Sequence, residues 1–264
     1  MEYPGHVIEV GEPDALIVRA IKQQLNEALG AGEDSALRLD PSNGTFGPKM
    51  KRVVQLFQTR NVDSTGLPLR QDGQVGSLTW AALFGPDTVP TRTASASPLL
   101  AAALRVAAEQ EANHVREVPK NSNRGPEVDA FLKCAGCELG GAWCCAFVYW
   151  CMDQAAKELG RKNPMVRTGV CLDHWQLAPT KGANRFTTAR ALADQDLVQP
   201  GIIFIMDHGA GRGHTGFVER VEGGILTTLE GNTDASKTRE GGGVYRLTRR
   251  IADVNKGFID YSAL

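Results

Sequence analysis

The residues best suited to chemistry are a group of cysteines in the middle of the chain and the histidines that follow it. All six cysteines lie between Cys134 and Cys171. Cys144 stands near the start of a segment that follows Gly141 and contains no proline or glycine before Gly160, which predicts a helix. A thiol at a helix N-terminus lies at the positive end of the helix dipole, which favours the thiolate. We therefore expect Cys144 to have a lowered pKa and to act as a nucleophile.

An apolar stripe on the same predicted helix directs Cys144 toward the protein interior. Cys144 lies one turn before the first residue of the stripe. The stripe consists of residues at helical spacing: Val148, Cys151, Met152, Ala155 and Leu159. Cysteine is also a common core residue, so burial alone does not separate a nucleophile from a structural thiol.

The remaining cysteines allow an alternative to catalysis. In a chain without a secretory leader, clustered cysteines indicate catalysis or metal binding before disulfides. Zinc could be bound by Cys134, Cys137, Cys151 and Cys171. However, no second CxxC pair completes a zinc ribbon. Unligated thiols, or a disulfide formed after release into an oxidising space, agree better with this spacing.

A cysteine nucleophile requires a base, and the base requires an acceptor that fixes its tautomer. Of the five histidines, His214 opens an alternating segment that reverses at residues 223–224 and returns to Glu230. If the turn has an odd number of residues, Glu230 and Asn232 lie on the same sheet face as His214. A two-residue turn would shift the register unless a bulge restored it. Counting residues along the two strands therefore predicts His214 as the base, oriented by the Glu230 carboxylate or the Asn232 amide.

The N-terminal part of the chain has the periodicity of a small helical domain. With 264 residues, the chain is long enough for one large domain or two ordinary ones. Apolar spacing predicts helices over residues 13–30, 48–60 and 77–84, with Ser77 as the cap of the third. Residues 85–98 are rich in Pro, Thr, Ser and Ala, which is typical of a linker.

Beyond this linker, predicted helices are followed by predicted strands. Residues 99–111 form a strong helical pattern, whereas residues 162–199 have no clear periodicity. Short apolar or alternating segments then predict strands over residues 202–206, 215–221, 225–229, 244–247 and 258–261. Helices followed by antiparallel strands indicate an α+β fold.

Two similar turns precede the second and third predicted helices. They read NGTFG at residues 43–47 and DGQVG at residues 72–76, each with a turn, an apolar anchor and a glycine before a helix. With the apolar positions of the helices, the pattern resembles the type 1 peptidoglycan-binding domain over about residues 10–86. That resemblance implies a three-helix module that anchors the protein to the cell wall. It assigns no individual binding residues.

Three further motifs resemble another family. They are WCCAFV at residues 143–148, GHTGFV at residues 213–218 and EGNT at residues 230–233. In this order they resemble the CHAP family, the cysteine- and histidine-dependent amidohydrolases/peptidases, over about residues 100–264. Glu117 and residues 123–132 are similar to the first segment of that family. The resemblance implies a papain-like core that cuts amide bonds in peptidoglycan.

The CHAP resemblance also implies a role for each motif residue. Cys144 would be the nucleophile and His214 the general base. Glu230 would orient His214, with Asn232 as a supporting polar residue or a substitute. Cys145 occupies a position where the motif usually has a small residue, and the core-facing phase of Cys144 favours Cys144 as the nucleophile.

Composition and motif details limit the partners and cofactors that we expect. The formal net charge is −1, so the chain has no basic footprint for nucleic acid. No apolar run approaches membrane-spanning length, and the N-terminus does not resemble a signal peptide. Some CHAP proteins bind calcium before the cysteine, but residues 132–142 offer only Glu138. We expect a monomer without metal or cofactor, made in the cytoplasm and acting on peptidoglycan after release by another route.

Together the two resemblances predict an all-α three-helix bundle at residues 1–86, a linker at residues 87–98 and an α+β papain-like domain at residues 99–264. A wall-binding domain joined to a wall-cutting domain resembles a bacteriophage endolysin. Two alternatives stay open: an amidase effector delivered into rival bacteria, and a wall-binding protein whose papain-like domain is inactive. The cleaved bond is either the glycan–peptide amide or a bond of the peptide cross-bridge.

Overall fold

The computed structural model describes residues 1–238 and 241–264 of the chain. These residues divide into two compact units. The first contains residues 1–91, with the short segments 192–195 and 222–224, and the second contains residues 92–191, 196–221 and 225–264. Each unit has its own hydrophobic core. None of the described helices is both long and apolar enough to cross a membrane.

Residues 1–91, all of which are described, contain three α-helices: α1 (Ala15–Ala28), α2 (Pro48–Arg60) and α3 (Ser77–Phe84). The Asp14 carboxylate caps α1 by accepting hydrogen bonds from two backbone N–H groups of its first turn. The prediction that Ser77 caps α3 is wrong. Gly76 is the cap residue, and Ser77 is the first helical residue, buried and without a side-chain capping bond.

The two similar turns of the first unit also share their local geometry. The Asn43 side-chain oxygen accepts a hydrogen bond from the Thr45 N–H at 2.8 Å. The Asp72 carboxylate accepts one from the Gln74 N–H at 2.9 Å. The apolar residue that follows is buried in both turns, and the final glycine directly precedes a helix. The repeat in the sequence is therefore also a repeat in the structure.

The described residues after residue 91 form five α-helices. They are α4 (Pro98–Ala112), α5 (Pro126–Ala135), α6 (Cys144–Glu158), α7 (Cys171–Leu177) and α8 (Thr188–Ala193). Helix α6 packs against α4, α5 and the sheet. The predicted apolar stripe of α6 is buried except for Leu159, which is 40% exposed because the helix ends at Glu158.

The described residues between 184 and 260 form one six-stranded sheet. Its strands are β1 (Asn184–Thr187), β2 (Ile203–Asp207), β3 (Gly213–Glu222), β4 (Ile225–Thr233), β5 (Gly243–Arg250) and β6 (Gly257–Asp260). The strand order is β1-β6-β2-β3-β4-β5, with antiparallel pairing. A helical N-terminal region followed by an antiparallel sheet with helices agrees with the coarse prediction of a helical first part and an α+β second part.

The hairpin between β3 and β4 differs from the odd-membered turn that the sequence count favoured. Only Gly223 and Gly224 separate the two strands, and their φ values are +55° and +81°. Two consecutive residues with positive φ are typical of a tight two-residue hairpin turn, and glycine adopts them without strain. Strand β4 is irregular between Glu230 and Thr233, where Asn232 also has a positive φ of +56°.

Candidate active site

Cys144 is the first residue of α6 and is buried, with 3% of its surface exposed. The preceding residue, Trp143, fixes this end of the helix. Its indole N–H donates a hydrogen bond to the Glu117 carboxylate at 2.9 Å, and its carbonyl accepts one from the Phe147 N–H. The thiol therefore lies at a helix N-terminus that is held by a buried side-chain contact, as the segment after Gly141 predicts.

His214 and Glu230 meet in spite of the two-residue turn. His214 Nε2 lies 2.7 Å from Glu230 Oε2, and both side chains are buried. His214 Nδ1 has no hydrogen-bond partner among the described residues. Cys144 is close enough to interact with the imidazole and to raise its pKa. Because Glu230 occupies Nε2, Nδ1 is the ring nitrogen left for the thiol.

The Glu230 carboxylate accepts four hydrogen bonds. Oε1 accepts from the Thr228 hydroxyl at 2.5 Å and from Arg249 Nε at 2.6 Å. Oε2 accepts from His214 and from an Arg249 terminal nitrogen at 2.6 Å. Burial alone would raise the pKa of Glu230, but the bonds from Arg249 and His214 outweigh it and lower the pKa to about 2. Glu230 is therefore an ionised buried carboxylate.

The pKa of His214 shows what its partners do. Burial acts to lower it, because a buried imidazolium loses its hydration. The contacts with Cys144 and Glu230 outweigh burial and raise the pKa of His214 to about 9. These contacts therefore stabilise the imidazolium that forms when the ring takes the Cys144 proton.

The prediction of a lowered pKa for Cys144 is wrong for this arrangement. The Cys171 sulfur lies 3.5 Å from the Cys144 sulfur, and this contact, together with the burial of the thiol, raises the pKa of Cys144 well above its usual value. His214 acts in the opposite direction but does not outweigh them. Cys171 comes from α7, in the segment without clear periodicity, so this neighbour could not be predicted from the sequence.

Asn232, the possible substitute for Glu230, and Cys145, the neighbour of Cys144, have different surroundings from those two residues. Asn232 is completely buried, and neither atom of its side-chain amide has a hydrogen-bond partner within residues 1–238 and 241–264. It therefore does not hold the His214 ring. Cys145 is also buried, but its sulfur lies 3.5 Å from the Thr168 carbonyl oxygen.

The other histidines lie outside this group. His174 is buried on α7 with Nε2 2.9 Å from the Tyr261 hydroxyl, and burial lowers its pKa to about 3. His6 contacts Glu12, and His114 and His208 are exposed.

Arg249 is the site residue that sequence reasoning missed. It lies in β5, paired with Leu226 of β4.

All six cysteines are free, and the described residues contain no group of three His, Cys, Asp or Glu side chains able to hold a metal ion. Of the four cysteines considered as zinc ligands, Cys171 lies against Cys144, whereas Cys134 contacts Asp153.

Comparison with known protein families matches residues 136–232 to the CHAP domain. The match confirms the CHAP resemblance over this range, which contains Cys144, His214, Glu230 and Asn232. CHAP domains are typically cysteine- and histidine-dependent amidohydrolases or peptidases, and the match suggests a peptidoglycan hydrolase activity. No curated protein and no solved structure matches the chain.

Proposed function

We propose that the protein hydrolyses an amide bond of bacterial peptidoglycan, with Cys144 as nucleophile, His214 as general base and acid, and Glu230 as the residue that orients His214. The observation that carries this proposal is the buried series of contacts from the Cys144 thiol through His214 to Glu230, inside the residues that match the CHAP domain. Thiol, imidazole and carboxylate in this order are the parts that cysteine-dependent acyl transfer needs.

The arrangement supports a two-step reaction. His214 Nδ1 takes the Cys144 proton as the sulfur attacks the amide carbonyl, and then returns a proton to the leaving amine. In the second step His214 activates a water molecule, which releases the peptide acid from the acyl-enzyme. The Cys144 backbone N–H, at the N-terminus of α6, is suited to stabilise the oxyanion.

In this scheme Glu230 fixes the tautomer that leaves Nδ1 for the sulfur. Asn232 is a supporting polar residue rather than a substitute for Glu230, because its amide makes no hydrogen bond to the ring. Its buried amide retains both donor and acceptor capacity. We propose a papain-like core around these residues, as the CHAP resemblance implies.

For the domain organisation we propose a wall-binding three-helix bundle at residues 1–86, a linker at residues 87–98 and a catalytic domain at residues 99–264. The paired turns before α2 and α3 support the wall-binding part. A binding domain tethered to a hydrolase raises the enzyme concentration at an insoluble substrate. We propose that the protein acts in this way as a monomeric, endolysin-like enzyme.

Zymography on purified cell walls tests the proposal. We expect the wild-type protein to clear the gel, Cys144→Ser to leave it intact, and Cys145→Ser to retain most of the activity, because Cys145 contacts Thr168 rather than His214. Circular dichroism establishes that each variant folds. Activity that survives Cys144→Ser but not Cys145→Ser would show that the nucleophile is misassigned.

Mass spectrometry of the digested walls identifies the bond. Peptides released with a free N-terminus, leaving bare glycan, indicate cleavage of the glycan–peptide amide. Shortened cross-links still attached to glycan indicate a peptide endopeptidase. Intact walls after incubation with the folded wild-type protein would favour the alternative of an inactive wall-binding protein.

A further inference from the structure

Arg249 is bound to the Glu230 carboxylate through both of its oxygens. Nε donates to Oε1 and a terminal nitrogen donates to Oε2, each at 2.6 Å. Arg249 is 7% exposed, and Glu230 is completely buried. The guanidinium also lies over the Phe204 ring, 5.4 Å from its centroid. Two parallel hydrogen bonds and one ring face fix the guanidinium plane and, with it, the plane of the carboxylate.

One carboxylate oxygen is shared between Arg249 and His214. Oε2 accepts from Arg249 at 2.6 Å and lies 2.7 Å from His214 Nε2. Rotation of the carboxylate away from His214 would therefore also break the bond to Arg249. The orientation of the imidazole depends on Glu230, and the orientation of Glu230 depends on Arg249.

We propose that Arg249 is a positioning residue that holds Glu230 toward His214 and offsets its charge, so that the imidazole can both take and return a proton within one catalytic cycle. This inference rests on the proposed function, in which His214 exchanges a proton with Cys144.

The charges around His214 determine how tightly the imidazole holds its proton. The titratable or charged groups next to it are Glu230 on β4, Arg249 on β5 and Cys144 on α6, which in turn contacts Cys171 on α7. A lone carboxylate in this buried setting would attract the imidazolium strongly, because little water screens the pair. Arg249 compensates that negative charge, which leaves mainly hydrogen bonding to stabilise the imidazolium. The ring therefore releases its proton to a leaving amine more readily than it would beside Glu230 alone.

A charge-removing variant gives the test. Arg249→Gln keeps a donor for the carboxylate but removes the positive charge, whereas Arg249→Lys keeps the charge but not the two-bond geometry. Removing a nearby positive charge makes any proton on the His214–Glu230 pair bind more tightly, whichever of the two carries it. We expect the apparent pKa of the pair to rise by about one unit or more in Arg249→Gln. In Arg249→Lys we expect a change of less than about half a unit.

The pKa is measured by NMR titration of isotope-labelled His214, which needs no substrate. The pH dependence of kcat on soluble wall fragments should move in the same direction, with lower kcat in both variants. Arg246→Met is the matched control, since Arg246 is on the same strand and makes a two-bond contact with Glu219 at the surface. We expect this control to titrate like the wild type.

An unchanged His214 titration in folded Arg249→Gln would overturn the inference. If that variant does not fold, Arg249→Lys decides, because an upward shift in a variant that keeps the charge would contradict the electrostatic argument. A wild-type protein that cleaves no wall material would overturn the proposed function, while the His214 titration would still test the effect of Arg249.

Discussion

Glu230 and Asn232 are two residues apart in β4, but only Glu230 contacts His214. Glu230→Gln keeps the side-chain shape but removes the charge and replaces one accepting oxygen with an N–H donor, so that His214 and Arg249 can no longer both be bound as in the wild type. We expect the activity to fall by about 10²–10⁴-fold, by analogy with orienting carboxylates in other triads. Asn232→Ala removes an amide without a protein partner and should cost less. Kinetics on one wall preparation give the ranking, and the reverse order would identify Asn232 as the orienting residue.

The same buried pair should also make the stability of the protein depend on pH. The pKa of His214 is raised from its ordinary 6.5 to about 9, so the folded state binds this proton more tightly than the unfolded state. That contribution is complete below about pH 6.5 and is lost as pH rises through 9. The pKa of Glu230 is lowered from 4.5 to about 2, so its contribution is present above pH 4.5 and is lost as pH falls through 2.

Urea unfolding at pH 6 and at pH 9 measures the alkaline part of this effect. We expect the wild type to lose up to about 3 kcal/mol of unfolding free energy over this interval, at 1.36 kcal/mol for each pKa unit. His214→Gln cannot titrate there and should lose less. Equal losses in the two proteins would show that His214 does not exchange its proton on unfolding in this interval.

The sequence was sufficient to place side chains that lie close to a motif or a hairpin. Counting along two strands placed His214 near Glu230, although the count assumed an odd-membered turn that the structure does not have. Helix phase placed Cys144 in the core. The sequence was insufficient where a neighbour came from a distant segment. Arg249 reaches Glu230 only because of the register between β4 and β5, which the sequence of the intervening loop does not determine. Cys171, which raises the pKa of Cys144, lies in a segment whose sequence has no clear periodicity.

At the scale of elements, Gly216 shows how closely the strands must approach to form the site. A Cβ atom at this position would lie 2.6 Å from the Leu229 carbonyl oxygen and 2.8 Å from Glu230 Cγ. Gly216→Ala should therefore displace β4 or the Glu230 side chain and weaken its contact with His214. We expect reduced activity together with a loss of stability of about 1–3 kcal/mol, as for other overpacked positions.

Gly32→Ala is the comparison variant, since nothing lies within 4 Å of a Cβ atom at that position. It should leave both the activity and the urea midpoint close to wild type. Wild-type kinetics in Gly216→Ala would mean that the contact between His214 and Glu230 tolerates movement of the strands. That result would weaken the orienting role assigned to Glu230.

Elements with several turns or a clear boundary residue were predictable, and short ones were not. Helices α2 and α3 have the predicted bounds, because α2 begins at a proline and both follow a glycine after an anchored turn. Helices α7 and α8 and strand β1 have four to seven residues each, too few for a period to be recognised. The two-residue turn after β3 was missed because the count included Glu222, which belongs to the strand.

For the molecule as a whole, the two units are compatible with the proposed division between binding and catalysis. The residues of the proposed catalytic group lie in the second unit. The repeated turns that resemble a wall-binding domain lie in the first. If the first unit binds peptidoglycan, its loss should reduce retention on intact walls more than it reduces cleavage of soluble fragments, for which tethering brings no gain.

Deletion of residues 1–91 tests the proposed division. Sedimentation with intact sacculi should be measured in the Cys144→Ser background, so that the substrate is not consumed during the assay. We expect the truncated protein to stay mainly in the supernatant and the full chain to sediment with the walls. The truncated protein with Cys144 intact should still cleave soluble wall fragments, because it keeps His214 and Glu230, and circular dichroism must show that it folds. Equal sedimentation of the full and truncated proteins would contradict the anchoring role, even if both cleave soluble fragments at the same rate.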